Sequence, residues 1–231
     1  MARIFTLGTL VTRAQQRVDM ENQTLLSTAE FKGHLSTVYG EMYSEILATG
    51  LRHFETTKTI TTTGAASFDL PADFLSVIGM DYVVDTQGHR RHLRELMAQE
   101  RNIYRGASAS DAQAFAIVGD KTVTLYPTPP AAQTYELVYV PQPKDLSSAA
   151  DSTQVDVVTP DGEAFLLWGV AVLALGKEES DVGLAMAERE RMRERVREWA
   201  VLRALNQPRR VMVEGELDEY EPGEWRMVDR W

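Results

Sequence analysis

Residues that could carry out catalysis are sparse in this 231-residue chain, which contains no cysteine. Without a thiol it can form neither a disulfide nor a thiolate metal site, and it has no cysteine nucleophile. The histidines are His34, His53, His89 and His92, and no Gly-x-Ser-x-Gly nucleophile motif accompanies them. We therefore expect no enzymatic activity and no bound cofactor.

Two of the histidines, His89 and His92, are three residues apart, a spacing that metal ligands can use. Arg90 and Arg91 stand between them, and their positive charges would oppose a bound cation. The pattern therefore favours a basic patch on a loop or an edge strand. We predict no metal site here.

A cluster of acids at Glu178, Glu179 and Asp181 is the second place where chemistry could occur. Carboxylates could hold a divalent ion, and a pair of acids could serve a hydrolase of the cell wall. The cluster lies between two helical segments, however, so Asp181 fits better as a helix N-cap with acids beside the helix dipole. The hydrolase stays as the weaker alternative, to be tested by substituting Glu178 or Glu179.

The net charge of −10 is unevenly distributed along the chain. Residues 211–231 contain seven acids and two bases, which gives −5 for this segment alone. An excess of negative charge argues against binding nucleic acid by neutralising its phosphates. No stretch approaches the roughly 20 apolar residues of a membrane span, and the first residues lack the long apolar segment of a signal peptide, so neither is predicted.

The acidic segment is rich in aromatic and apolar side chains, although glycine and proline interrupt it. One explanation is a disordered end. The other is a docking arm that becomes ordered on a partner, with the aromatic side chains as anchors. The candidate docking residues are Val211, Val213, Leu217, Tyr220, Trp225, Met227 and Trp231.

The elements that would position these residues begin with two helices. Apolar residues at positions 7, 10, 11 and 14 recur at helical spacing after Thr6. The sequence Ser-Thr-Ala-Glu at residues 27–30 forms a capping box, and the apolar stripe that follows keeps to one helix face until Gly50. The link between the two helices is short and polar, which predicts a helical hairpin.

Between residues 53 and 140 the spacing changes to the alternation typical of strands. Strands are predicted within residues 53–63 and 74–84, in a hairpin of residues 115–118 and 123–126, and over residues 135–140. A short helix is predicted over residues 95–104. Together these segments predict a mainly antiparallel unit of about five strands.

Two further helices are predicted in the C-terminal third of the chain. Thr159 and Pro160 fit the N-cap and first position of an apolar helix over residues 163–175. A longer helix is predicted from Asp181 to Leu205, supported by Glu–Arg pairs three residues apart. Its apolar positions are Val182, Met186, Met192, Val196, Trp199 and Leu202, and its pairs are Glu188/Arg191, Glu190/Arg193 and Glu194/Arg197.

Taken together, these patterns predict an α+β fold, in which an antiparallel β unit lies between two helical segments and an extended C-terminal arm follows. The expected N-terminal helical hairpin covers residues 1–50, and the β domain with its short helix covers residues 51–145. Residues 146–210 would form C-terminal helices that pack with the N-terminal helices, and residues 211–231 would form the arm.

Four pieces of the sequence, in order and at similar spacing, resemble the head-to-tail adaptor proteins of tailed bacteriophages, particularly those of short-tailed phages. The pieces are residues 10–22 with 27–30, residues 67–74, residues 123–129 with 135–141, and residues 175–182. The resemblance extends over residues 4–210 and does not include the acidic arm.

The resemblance implies that the helices form a bundle into which the antiparallel β domain is inserted. It also implies a structural protein of the virion neck, assembled in the host cytoplasm, with no catalytic residues and no cofactor. Its subunits would form a ring, commonly of twelve copies, that binds the portal protein above and a tail or nozzle protein below. Genomic DNA would pass through the ring without specific binding, and an acidic channel would suit this passage because it repels phosphate. The portal contact of residues 211–231 rests on their composition alone.

A carbohydrate-binding module that recognises the host surface is an alternative from a different class of protein. Such a module would expose aromatic residues of the β domain, for example Tyr104, Tyr126 or Tyr139. An adaptor would bury them in its core.

Overall fold

The computed structural model describes residues 3–20, 26–84, 89–97, 100, 102, 112–119 and 121–205. Within these ranges the chain folds as an α+β protein with four helices and nine strands, in chain order as follows. They are β1 (Ile4–Thr6), α1 (Leu7–Arg17), α2 (Thr28–Ala48), β2 (Thr56–Thr63), β3 (Ser67–Asp69), β4 (Phe74–Val83), β5 (Arg90–Glu95), β6 (Ala114–Val118), β7 (Thr122–Tyr126), β8 (Ala131–Pro141), β9 (Gln154–Asp156), α3 (Pro160–Lys177) and α4 (Gly183–Leu205).

Side-chain caps begin three of the helices where the sequence predicts them. The hydroxyl of Thr6 accepts a hydrogen bond from the backbone of Thr9, and that of Thr159 accepts one from Gly162. Ser27 and Glu30 form the complete capping box at the start of α2. Such caps stabilise a helix by about 1 kcal/mol each because they satisfy backbone N–H groups that have no partner inside the helix.

Helix α3 is the centre of the helical layer, with α1, α2 and α4 packed against it. It approaches α2 closely because residue 169 is a glycine, and a Cβ there would collide with the side chain of Val38. Helix α4 lies across α2 as well, and Arg189 and Arg193 pair with Glu41 and Glu45 of α2. The apolar faces of the four helices meet in one core that also takes in residues 140–158.

The intrahelical pairs predicted for α4 are formed in part. The Glu188–Arg191 and Glu190–Arg193 pairs are present, both at 3.5 Å, whereas Glu194 and Arg197 form no ion pair within the described residues.

The buried face of α4 differs from the expected one. Met192 and Val196 are buried as predicted, but Met186 and Leu202 are exposed. Their expected place is taken by small residues, since Ala185, Ala200 and Ala204 are the ones buried.

Strands β2 to β8 form one sheet in the order β2–β8–β4–β5–β6–β7–β3. Six strand pairs hold it together, and all are antiparallel except β5 with β6. The hairpin of β6 and β7 is confirmed, with Gly119 in the left-handed conformation at its turn. The sheet has seven strands where about five were predicted, because β3 and β5 were not recognised.

The segment Arg90–Glu95 is a strand inside the sheet, which corrects two predictions. The basic patch around His92 lies on β5, between β4 and β6, and not on a loop or an edge strand. The helix predicted over residues 95–104 is wrong at its first residue, since Glu95 ends β5. Most of its remaining residues lie outside the described ranges.

A second, two-stranded sheet joins the start of the chain to the segment before α3. Strand β1 pairs with β9 in antiparallel register, with Phe5 opposite Val155. The backbone N–H of Leu7 then donates to Thr153 at 2.8 Å. The helical layer is therefore closed by residues that are about 150 positions apart in sequence.

Candidate interaction site between the helices and the sheet

The predicted docking residues of the arm, Val211, Val213, Leu217, Tyr220, Trp225, Met227 and Trp231, lie outside the described residues. Their role stays a prediction.

The acids at the junction of α3 and α4 have structural partners. Glu178 caps the C-terminus of α3 and accepts a hydrogen bond from the hydroxyl of Ser180 at 3.2 Å. Asp181 accepts a hydrogen bond from the backbone N–H of Gly183, the first residue of α4, at 2.8 Å. Asp181 therefore contacts the start of α4, but the residue immediately before the helix is Val182, one position after the predicted N-cap.

Of the two histidines with metal-ligand spacing, His92 has a carboxylate partner. His92 points to Asp81 on the neighbouring strand, with 2.9 Å between Nδ1 and Oδ1. In the part of the chain that the structure describes, no group of three or more histidine, aspartate or glutamate side chains is arranged to hold a metal ion. Likewise, no described helix is long and apolar enough to cross a bilayer.

The aromatic residues that a carbohydrate-binding module would expose are mostly inside the sheet. Tyr139 is buried, with its ring stacked on Phe74, and Tyr126 is half-buried. Tyr104 lies outside the described residues. The burial of Tyr139 therefore agrees with the adaptor interpretation, which expects these side chains in the core.

A groove of about 630 Å³ lies where α2 meets the ends of the sheet, and no sequence pattern indicated it. Its aromatic wall consists of Tyr39 and Tyr43 on α2 and Phe54 on the segment that follows. The ring of Tyr43 stacks on Phe54 with 4.0 Å between centroids, and its hydroxyl donates to the carbonyl of Pro141 at 2.5 Å. We call this site the aromatic–acidic groove.

Three aspartates give the aromatic–acidic groove its negative charge. Asp73 accepts a hydrogen bond from the hydroxyl of Tyr139 at 3.1 Å, and Asp145 accepts bonds from Ser36 and Ser147. Asp156 lies 2.9 Å from Nε2 of His53 and accepts the backbone N–H of Val158. Lys144 is the basic residue that lines the groove.

The pKa values of the lining residues reflect burial and negative charge. Burial, together with a smaller contribution from the charge of Asp156, raises the pKa of Tyr39 to about 12. Burial also raises the pKa of Tyr43 to about 12, with smaller contributions from Tyr39 and Asp73. Burial alone would raise the pKa of Asp156, but its hydrogen bonds to His53 and Val158 hold it below the ordinary value. These pKa shifts favour the ionised form of Asp156 and the neutral forms of Tyr39 and Tyr43 at pH 7.

Helix α4 carries a separate, exposed apolar surface near its C-terminus. Val201, Leu202 and Leu205 are exposed there, and they share one helix face with Glu194 and Glu198. Leu184 is exposed on the same side, five turns earlier. We call this surface the α4 outer face. Apolar side chains aligned on one exposed helix face make this surface a candidate for contact with a partner.

Comparison with known proteins supplies the biological context for these surfaces. The family model described as SU10 adaptor protein matches residues 5–213, which is most of the chain. No curated protein matches the chain. The match includes all four helices and nine strands apart from Ile4, and it ends near the beginning of the acidic arm. The chain therefore belongs to the SU10 adaptor family, a family of phage head-to-tail adaptors.

Proposed function

We propose that this adaptor acts as one subunit of a ring, of about twelve copies, that is seated beneath the portal of the capsid. The ring extends the channel for the genome and offers its lower surface to a tail or nozzle protein. It works by shape and contact and catalyses no reaction. It is assembled in the host cytoplasm and remains in the neck of the virion. Membership of the head-to-tail adaptor family is the observation that carries this proposal.

A ring requires that each subunit present two complementary side surfaces to its neighbours. The α4 outer face is suited to be one of them, because α4 already uses its opposite face to cover α2 and α3. Leu202 and Leu205 are more than half exposed in the single subunit. Their burial against a second copy would remove apolar surface from water at about 25 cal/mol per Å².

The portal contact is assigned to residues 211–231, the arm. Its charge of −5 and its aromatic residues set it apart from the body of the protein. The match to the family ends at residue 213, so nearly all of the arm lies beyond the shared part. The arm is where this adaptor would differ from its relatives.

The division of the chain into parts follows the same proposal. A β domain, residues 51–145, would be inserted between the helical segments 1–50 and 146–210, and the helices would form one bundle. Two separate clusters of buried side chains support this division, one among the helices and one inside the seven-stranded sheet.

One imaging experiment tests the assembly. The protein, its Leu202→Glu/Leu205→Glu variant and a deletion of residues 211–231 are each mixed with purified portal rings and examined by electron microscopy. We expect the wild type to form a ring on the portal and the double variant to form none. We expect the deletion to lose the portal contact.

The matched control is Met97→Glu, which changes a side chain that is 76% exposed on the β domain. This variant should assemble like the wild type. Full ring formation by the double variant would remove the α4 outer face from the interface, and unchanged portal binding by the deletion would contradict the role of the arm.

A further inference from the structure

The α4 outer face carries carboxylates beside its apolar residues. Glu194 and Glu198 are exposed there, one helical turn apart, and they precede Val201 and Leu202 on the same face. Within the described residues neither glutamate forms an ion pair. Arg197 lies beside them and offsets one of the two charges. The face therefore combines net negative charge with apolar surface.

A surface of opposite charge lies where α1 meets α3. Arg13, Gln16 and Arg17 of α1 line a hollow of about 520 Å³ there, together with Glu163 and Leu167 of α3. Glu163 pairs with Arg13, whereas Arg17 is exposed and forms no ion pair with any described residue. We call this site the α1 hollow. It keeps a positive charge on a protein whose net charge is −10.

Arg17 is held in the α1 hollow by an aromatic side chain. Its guanidinium lies over the half-buried ring of Trp168, with 4.6 Å between Cζ and the ring centroid. A guanidinium keeps its N–H donors in its own plane, so contact through its face leaves them free to bind a carboxylate. Because the side chain is already held in place, less conformational entropy is lost when a partner binds it.

The α1 hollow and the α4 outer face belong to helices on opposite sides of α3. Glu163 of α3 pairs with Arg13 of α1, whereas Asp161 of α3 pairs with Arg195 of α4. Residues two apart on a helix point about 200° away from each other around its axis. Helix α3 therefore separates α1 from α4, and a single subunit cannot bring its own two surfaces together.

We propose that the α4 outer face of one subunit binds in the α1 hollow of a second copy, with Glu194 and Glu198 facing Arg17. This inference rests on the proposed ring and names the second surface of its contact. The two surfaces differ, so the contact is heterologous, which is the kind that closes a ring when each copy repeats it. The opposite charges set the register of the contact, and the apolar residues after Glu198 supply buried surface.

Charge reversal on each of the two surfaces tests the pairing. Gln16→Glu/Arg17→Glu makes the α1 hollow negative, and Glu194→Arg/Glu198→Arg makes the α4 outer face positive. Each full-length variant is mixed with purified portal rings, and electron microscopy gives the adaptor concentration at which half of the portals carry an adaptor ring. We expect this concentration to rise at least about tenfold for either variant alone, because like charges then meet across every contact.

The two variants mixed in equal amounts should assemble at close to the wild-type concentration. Each positive surface then meets a negative surface of the other variant, so the two proteins alternate around the ring. All four substitutions combined in one chain should restore assembly for the same reason. Circular dichroism and the midpoint of thermal unfolding check that each variant is folded.

Lys58→Glu is the matched control, because it reverses an exposed charge on strand β2 that lines neither surface. It should assemble like the wild type. Rings formed equally well by the wild type and by both charge-reversed variants would overturn the pairing and leave the proposed ring intact. A mixture of the folded variants that assembles no better than either alone would also overturn the pairing. A wild type that forms no ring on the portal would overturn the proposed function, and the pairing with it.

Discussion

Glu163 is the carboxylate that ties the start of the chain to α3. Its side chain is 11% exposed and pairs with Arg13 of α1, while Arg3 lies 3.6 Å away. Both guanidinium groups also lie over the ring of Phe5, at 5.1 Å for Arg3 and 4.6 Å for Arg13. A buried carboxylate with these partners fixes the position of β1 and α1 relative to α3.

Substitution of Glu163 by glutamine should therefore destabilise the protein. We expect a loss of about 1–2 kcal/mol in the free energy of unfolding, less than for a fully buried pair because both arginines are partly exposed. Chemical denaturation of Glu163→Gln, Arg13→Gln and the double variant measures the coupling. The control is Glu188→Gln, whose exposed pair with Arg191 should contribute less than about 0.5 kcal/mol. Strictly additive effects of the first two variants would contradict the pairing.

The lowered pKa of Asp156 makes the stability of the fold depend on pH. Its pKa is lowered in the folded protein, so its charge stabilises the fold above the ordinary pKa of an aspartate, and this stabilisation is lost as pH falls through the folded value. Asp156→Asn keeps an oxygen that can accept the N–H of Val158. It should be less stable than the wild type at pH 7, and this difference should close only as pH falls below the ordinary aspartate pKa of about 3.9 and through the lower folded value. Thermal unfolding across this range checks the sign, and a gap that widens in acid would contradict it.

Among the elements, those with a local signal could be predicted from the sequence. The caps at Thr6, Ser27 and Thr159 each lie within a few residues of the groups that they satisfy, and their helices begin where predicted. Strand β5 could not be recognised, because its one buried residue is Leu93 and charged residues surround it. Its place is set by pairing with β4 and β6, which the local pattern does not encode.

The close packing of α3 on α2 depends on the absence of a side chain at Gly169. Gly169→Ala should destabilise the protein by about 1–3 kcal/mol, since the added methyl group would collide with Val38 and force the helices apart. Gly40→Ala, in α2, is the matched control because a Cβ there meets nothing within 4 Å. It should be neutral or stabilise the protein by up to about 1 kcal/mol. Equal midpoints of denaturation for the two variants would contradict the prediction, because they would mean that α2 and α3 accommodate the extra methyl group without loss of stability.

For the whole molecule, the family and the α+β class could be predicted from the sequence, but the aromatic–acidic groove could not. The residues that line it come from the start of the chain, from α2, from the loop before β4 and from the segment after β8. Only the closed fold brings Tyr43 to Pro141 and His53 to Asp156. Its chemistry therefore became visible only with the complete structure.

The negative net charge of the protein leads us to expect a negatively charged channel surface in the proposed ring. With a net charge of −10 per subunit, we expect the assembled ring to line its channel with acidic side chains, which repel phosphate and let DNA slide. A structure of the ring on its portal, with the charge of the channel surface calculated from it, checks this expectation. A neutral or basic channel would contradict it.

The pairing of β1 with β9 also determines the order in which the two cores can form during synthesis. The seven-stranded sheet uses only residues 56–141, so it can close while later residues are still being added. The first two helices must wait for α3, which begins at Pro160. Until then, the apolar faces of α1 and α2 on the nascent chain are exposed to water. A product that terminates between residues 141 and 160 would carry a finished sheet and two uncovered helices, which makes it a ready substrate for chaperones and proteases.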